Sequence, residues 1–244
     1  MAFSYLTYPL DVIKTNRILQ TSLAKEGAER IPREILSLQE RGNLWNGLFR
    51  GFGATFLYGL IVAKCTHIIE GGSMTGAMIG GVLANPISVL AVRRQVIHNT
   101  VQSKSYENMM RDLIKGGNIL RPFTLGLIPT MLRNMALITG FQPAMNGFQW
   151  APVSILYGLG GILLSHPFEV ARVLIQTQDN QGTFGQSFKI MRGVFAVEGL
   201  AGLYRGAVPR VIAILPILTS VTLYGDQFYP SFNELQRSQN PPII

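Results

Sequence analysis

Two stretches of this chain set an acid and a base three residues apart behind a proline. Pro9, Asp11 and Lys14 form one, and Pro167, Glu169 and Arg172 form the other. A third proline, Pro86, carries Ser88 and Ala91 at the same offsets. These are residue types for ion pairing, and none of them sets a nucleophile beside a base. The prolines lie 86 − 9 = 77 and 167 − 86 = 81 residues apart, too long a period for a solenoid unit but suited to a tandem repeat of helix pairs. A second motif keeps the same phase. Leu48-Phe49-Arg50-Gly51, Phe123-Thr124-Leu125-Gly126 and Leu203-Tyr204-Arg205-Gly206 each open a new apolar stretch. The single cysteine, Cys65, excludes an internal disulfide and matches no metal spacing, and His67, His98 and His166 stand isolated. An enzyme is therefore not expected, nor is a metal or organic cofactor.

The elements that carry these residues are those of a membrane protein. Hydrophobic residues make up 48% of the chain, charged ones only 14%, and the mean hydropathy is +0.26, unusual for a soluble domain. No Asp, Glu, Lys or Arg occurs from Asn134 to Phe168, from Gly71 to Val92 or from Val211 to Gly225. A transmembrane helix needs roughly 20 mostly apolar residues, so these runs predict spans. Gly76, Gly80, Gly81, Gly158, Gly160 and Gly161 crowd them, as expected where helices pack closely in lipid. Each unit reads as a span running past its proline, a polar segment with a short amphipathic helix, and a second span. The short helices are expected at Pro32 to Gln39, at Tyr106 to Lys115 and at Gln186 to Val197. Met109, Met110, Leu113 and Ile114 form the apolar face of the second, and Phe188, Met191, Val194 and Phe195 that of the third. A proline inside a span removes a backbone donor and kinks the helix, so three kinked helices would converge at one membrane face.

The net charge of +8 gathers between and beside the spans, at Arg30, Arg33 and Arg41, at Lys104, Arg111, Lys115 and Arg121, and at Lys189, Arg192 and Arg205. Without interleaved aromatics, this distribution favours an anionic lipid surface as partner over nucleic acid. Neither a cleavable signal nor an arginine-rich transit peptide opens the chain.

These motifs resemble the mitochondrial carrier family, whose members repeat Pro-x-[Asp/Glu]-x-x-[Lys/Arg] followed by Glu-Gly-x-x-x-x-[aromatic]-[Lys/Arg]-Gly. The third unit is the clearest copy, with Pro167, Glu169, Arg172 and Gln176 followed by Glu198-Gly199-Leu200-Ala201-Gly202-Leu203-Tyr204-Arg205-Gly206. The resemblance covers almost the whole chain and implies one domain over 1–244, with repeats near 1–72, 73–148 and 149–236 and a tail at 237–244. It further implies an all-α, six-helix barrel with pseudo-threefold symmetry and short matrix helices, crossing the mitochondrial inner membrane several times.

Carried over residue by residue, the family's working parts are incomplete. In the family, the acid of each unit pairs with the base of the next. Here Asp11 should meet Ala91, Ser88 stands where the acid for Arg172 belongs, and only Lys14 with Glu169 forms a full pair. Gln95 and Gln176 occupy the brace positions, whereas the first unit has Ile18. On the opposite face, Asp226 remains but Tyr229 replaces its base, and Glu70-Gly71-Gly72 and Met145-Asn146-Gly147 carry no complete copy. The family's substrate contacts, seven residues past each motif glycine, fall on Tyr58, Arg133 and Ala213. Arg133 followed by Asn134 is similar to the arrangement in carriers of carboxylates or keto acids, and the arginine fork suits a planar carboxylate. Arg50, Gly51, Arg205 and Gly206 sit where the family begins helices that hold cardiolipin through backbone N–H groups. The first helix has only eight residues before Pro9, about 12 Å of helix, against roughly 30 Å of hydrocarbon.

Lost gate pairs, a lost contact arginine and a truncated first helix together predict a transport-inactive structural subunit of a larger inner-membrane assembly. A respiratory-chain complex is the natural partner, with cardiolipin as bound lipid. The alternative is a solute carrier exchanging a small carboxylate or keto acid held by Arg133 and Asn134.

Overall fold

The structure is a computed structural model and describes residues 2–19, 49, 51–68, 74–96, 105–115, 118–145, 151–177 and 184–228. All regular structure among these residues is α-helical. In chain order the helices are α1 (Ala2–Leu19), α2 (Phe52–Ile68), α3 (Met74–Gln95), α4 (Tyr106–Ile114), α5 (Arg121–Thr124), α6 (Leu127–Met145), α7 (Ala151–Thr177), α8 (Phe184–Leu203) and α9 (Ala207–Phe228). Thr75–Gln95 and Pro152–Thr177 are long and apolar enough to cross a membrane, and Phe52–Cys65 and Ala207–Pro216 are shorter apolar helices.

Pro9, Pro86 and Pro167 lie inside α1, α3 and α7, where each removes one backbone hydrogen bond. These three helices touch one another pairwise, as expected of elements converging at one end. The long helices also meet in a cyclic order: α1 with α2, α2 with α3, α3 with α6, α6 with α7, α7 with α9, and α9 with α1.

The glycine of the second motif has the same job three times. Gly51, Gly126 and Gly206 have φ of 82°, 67° and 86°, a left-handed conformation open to glycine at little cost. The carbonyl of each accepts the first helical bond of the next element, from Thr55, Thr130 and Arg210 at 3.0, 3.1 and 3.4 Å. Each also lies against the proline helix of the following unit. A Cβ on Gly51 would meet the Ala91 carbonyl at 3.1 Å, one on Gly126 the Gln176 side chain at 2.9 Å, and one on Gly206 the Lys14 carbonyl at 3.0 Å. The contacts therefore run from unit one to two, two to three, and three back to one.

Elsewhere glycines let helices approach closely. Gly140 of α6 faces Gly161 of α7 with room for no side chain on either, and Gly80 of α3 lies against the Val62 backbone of α2. Gly158 makes way for Leu218, whereas Gly160 has open space beside it.

α4 begins at Ser105, whose side chain accepts from the Asn108 N–H, and spans the expected segment. Its Met109, Met110 and Leu113 pack on Val89, Leu90, Leu125 and Ile175. The expected span Gln186 to Val197 lies within the first helical segment of α8, which breaks at the non-helical Gly199, with φ 64° and ψ −155°. Only part of its expected apolar face is inward: Val194 is buried, but Phe188 and Phe195 point out of the protein. The expected helix at Pro32 to Gln39 and the tail at 237–244 lie outside the described residues.

Burial is inverted relative to a soluble protein. Lys14, Arg133, Glu169, Arg172 and Arg210 are buried, while Leu57, Leu83, Leu156, Leu164 and Ile212 are exposed. Charged side chains are almost never fully buried in soluble proteins unless paired, so apolar outside with ionic inside fits a chain whose outer solvent is lipid.

Candidate functional site

Pairwise contact among α1, α3 and α7 brings the proline-motif residues together, and Glu169 is their hub. Its Oε1 lies 2.8 Å from Lys14 Nζ of α1, and its Oε2 lies 3.1 Å from Arg133 Nη1 of α6. Arg172, one turn along α7, donates from Nη2 to Oε1 at 3.1 Å and places Nε 3.0 Å from Oε2. One carboxylate, only 1% exposed, thus joins three cations from three helices. A buried carboxylate is tolerable only with such company, because leaving it or its partners unpaired in the interior is costly.

The structure corrects one expectation for the ion links and adds detail to two. Arg172 does not lack a mate: besides Glu169, its Nη1 donates to Ser88 Oγ at 2.7 Å, so the serine supplies a neutral acceptor where an acid would stand. Lys14 and Glu169 are not a lone pair, since Arg133 and Arg172 share the same carboxylate. Asp11, facing no base at Ala91, turns to Lys14 at 3.0 Å on its own helix.

The two glutamines occupy different settings. Gln95 is tightly held: Thr15 Oγ1 donates to its Oε1 at 2.7 Å, Asn16 Nδ2 donates to its carbonyl at 2.9 Å, and its Nε2 reaches Tyr8 and Thr55. The side chain of Gln176 makes only long contacts, at 3.5 Å, to Asn85, Ser88 and the Leu125 carbonyl, while its own carbonyl accepts from Arg93 Nε at 3.0 Å. It sits beside the Ser88–Arg172 link.

On the adjoining helices the expected contact residues form one cluster. Arg133 Nη2 donates to the Tyr58 hydroxyl at 2.6 Å, and Nε donates to Asn134 Oδ1 at 3.1 Å. Asn134 Nδ2 donates back to Tyr58 at 3.1 Å, and the guanidinium lies 5.5 Å from the Tyr58 ring centre. Gly81 of α3 leaves the space that the Asn134 amide fills, since a Cβ there would be 2.8 Å from Nδ2. Ala213 is buried on α9 and brings no polar group. Arg210, one turn earlier, is 3% exposed and donates to Ser165 Oγ at 2.8 Å and approaches His166 Nδ1 at 3.3 Å.

Together these residues line a cavity of about 200 Å³, whose walls include Asp11, Lys14, Tyr58, Ser88, Gln95, Arg133, Glu169, Arg172 and Arg210. Four cations and two carboxylates leave the lining at 4 − 2 = +2. Such a volume is below the roughly 300–1,000 Å³ of sites for drug-sized ligands and suits a small metabolite. Among the described residues no group of three or more metal-ligating side chains occurs.

A scan against family models matches the mitochondrial carrier protein family over residues 153–226. Relatives extend the match along the chain. A mitochondrial succinate-fumarate transporter of Arabidopsis thaliana is 24% identical over 281 residues, covering 96% of this chain and 90% of that protein. The mitochondrial 2-oxodicarboxylate carrier of Mus musculus is 23% identical, covering 86% of this chain and 84% of its own length. A mitochondrial uncoupling protein of Arabidopsis thaliana is 25% identical over 86% of this chain and 83% of its own. The chain is a divergent member of the mitochondrial carrier family. Membership assigns it to a mitochondrial membrane.

Within this family member, three structural residues escaped the sequence reading: Tyr8, Asn85 and His166, each directly before a motif proline. Asn85 Nδ2 donates to the carbonyls of Pro122, Phe123 and Leu125, and His166 Nε2 lies 3.1 Å from the Arg205 carbonyl. Tyr8 stacks among Phe49 and Phe52 beside Gly51. In every unit the residue before the proline secures the segment just before the motif glycine. The signal was available as a polar or aromatic residue at one fixed offset. Arg205, expected at a lipid contact, pairs with Glu198 at 2.9 Å, while Arg50 lies outside the described residues. So do Glu70, Gly71, Gly72, Asn146, Gly147 and Tyr229, and the side chains of Met145 and Asp226 are not described either.

Proposed function

We propose that this chain is a multi-pass solute carrier of the mitochondrial inner membrane that exchanges small dicarboxylates, keto acids included. The observation that carries the reading is the cavity, whose lining has an excess of two positive charges. A dianion entering it would neutralise that excess, and a guanidinium fork such as that of Arg133 matches a carboxylate with two parallel hydrogen bonds. Two relatives along nearly the full chain are named for dicarboxylates, one for succinate and fumarate and one for 2-oxodicarboxylates. The cyclic helix contacts and the threefold glycine seats support a six-helix barrel as the scaffold.

The expectation of a transport-inactive structural subunit gains no support. Two relatives covering most of the chain are named as a succinate-fumarate transporter and a 2-oxodicarboxylate carrier, and the cavity retains its basic groups. Nor do the missing ion links empty the gate, since Ser88 takes up Arg172 and Glu169 gathers three cations. Cardiolipin at the start of α9, where Gly206 opens the helix, remains part of the proposal on the general affinity of helix N-termini for phosphate.

The test is exchange by purified protein in cardiolipin-containing liposomes loaded with succinate, with labelled succinate, fumarate or 2-oxoglutarate outside. Counter-exchange is expected for the wild type. Arg133→Ala should lower it by about 10- to 100-fold through the loss of charged hydrogen bonds. No exchange of any dicarboxylate by protein that still unfolds cooperatively on heating would refute the carrier reading.

A further inference from the structure

The two arginines of the cavity that do not belong to the proline motifs are in opposite states. Arg133 is nearly filled: four of the five N–H donors of its guanidinium are used, on Glu169, Tyr58 and Asn134. Arg210 is not. Of the five N–H donors of a guanidinium, it directs one at Ser165 Oγ and one at His166 Nδ1, leaving 5 − 2 = 3 without a protein acceptor among the described residues.

Both partners of Arg210 are neutral acceptors with their protons committed elsewhere. Ser165 Oγ donates to the Ile162 carbonyl at 2.9 Å. His166 Nε2 lies 3.1 Å from the Arg205 carbonyl, which fixes the proton there and leaves Nδ1 with a lone pair for Arg210. The two acceptors hold the guanidinium in place without neutralising it. No carboxylate among the described residues pairs with Arg210, although the side chain is 3% exposed and lines the cavity. A buried cation without a counter-ion is expensive in the interior and is expected to be met by a ligand.

Arg133 stands on α6 and Arg210 on α9, two helices that touch across the cavity. Position 213, where the family contact would fall, is alanine, and the guanidinium is supplied from one turn earlier on the same helix. We infer that Arg210 is the second carboxylate clamp of the cavity. It binds one end of a dicarboxylate with its spare donors, while the other end competes with Glu169 for Arg133. Arg210 is thereby the residue that selects two carboxylates over one. This inference rests on the proposed carrier function and refines its substrate class.

The experiment compares succinate with butyrate, which has the same carbon chain and one carboxylate fewer. Thermal stabilisation of the detergent-solubilised full chain, titrated with each acid, gives two dissociation constants and their ratio. The wild type should bind succinate more tightly. In Arg210→Gln the succinate-to-butyrate preference should fall by about 10- to 100-fold, the loss of a charged bidentate contact. Arg210→Lys, which keeps the charge but not the fork, should move the preference the same way by less. It serves as the variant of record if the glutamine fails to fold. A preference unchanged in both variants would overturn the assignment of Arg210 and leave the carrier reading standing. No stabilisation of the wild type by any dicarboxylate, together with no exchange in liposomes, would overturn both.

Discussion

The seam between α1 and α7 and the seam between α1 and α3 are built from the same motif but hold by different means. At the first, Lys14 and Glu169 meet at 2.8 Å, with Arg133 and Arg172 on the same carboxylate. At the second, Asp11 finds no base at Ala91, and neutral groups fasten the helices: Thr15 and Asn16 bind Gln95, and Gln95 reaches Tyr8. The third seam, α3 to α7, lies between these extremes, with Arg172 donating to Ser88. A threefold gate therefore need not use three equal ion pairs. Charge concentrated at one seam makes that seam sensitive to an entering anion, while hydrogen bonds to neutral partners keep the others closed independently of charge.

Removing Glu169 should break this contrast most severely. Glu169→Ala leaves Arg133 and Arg172 without a carboxylate in the interior and Lys14 with Asp11 alone, which should cost about 3–5 kcal/mol of stability, the usual cost of breaking a buried pair. Thermal unfolding in detergent should show a larger fall for this variant than for any other single change at the three seams. A fall no larger than that of Gln95→Ala would mean that the hub is not what holds α7. The neutral seam comes next. Gln95→Ala leaves Thr15, Tyr8 and Thr55 with altered partners and should cost about 1–3 kcal/mol, whereas Gln176→Ala, losing only 3.5 Å side-chain contacts, should cost under about 1 kcal/mol. Equal losses for the two would erase the distinction drawn between their seams. The smallest effect is expected from filling the vacant base position. Ala91→Lys offers Asp11 a partner across the α1–α3 seam and should add less than about 1 kcal/mol, because Asp11 is part-exposed and already paired with Lys14. Exchange in liposomes should slow in that variant, as a second charged link must break; faster exchange would contradict the role given to the seam.

Much of the helical order was legible because proline, glycine and the uncharged runs punctuate it. Pro9, Pro86 and Pro167 lie within helices, and Gly51, Gly126 and Gly206 open them with positive φ. The first segment of α8 ends beside its expected terminus because Gly199 breaks the helix there, but the short helical turn that follows it was not expected. The site was half legible. Arg133 and Asn134 stood out because a charge beside a long apolar run has to be accounted for. The pairings did not, because a rule that matches acid to base one position at a time has no place for a carboxylate shared by three cations. Nor does it have a place for a serine acting as acceptor. Arg210 lies one turn from the expected contact at Ala213 and lines the same cavity.

The contact between Gly140 and Gly161 bears on motion. At this contact an added side chain on either helix would force the two apart, so α6 and α7 are expected to move together if the cavity opens. Arg133 rides on one and Glu169 on the other, and their separation is expected to change least. Lys14 and Arg210, on α1 and α9, are then the groups that change distance from Glu169. Spin-label distances between α6 and α7 should stay constant under substrate while those from α7 to α1 shift. On that view half of the cavity is a stator, and the working stroke belongs to the helices on the other side.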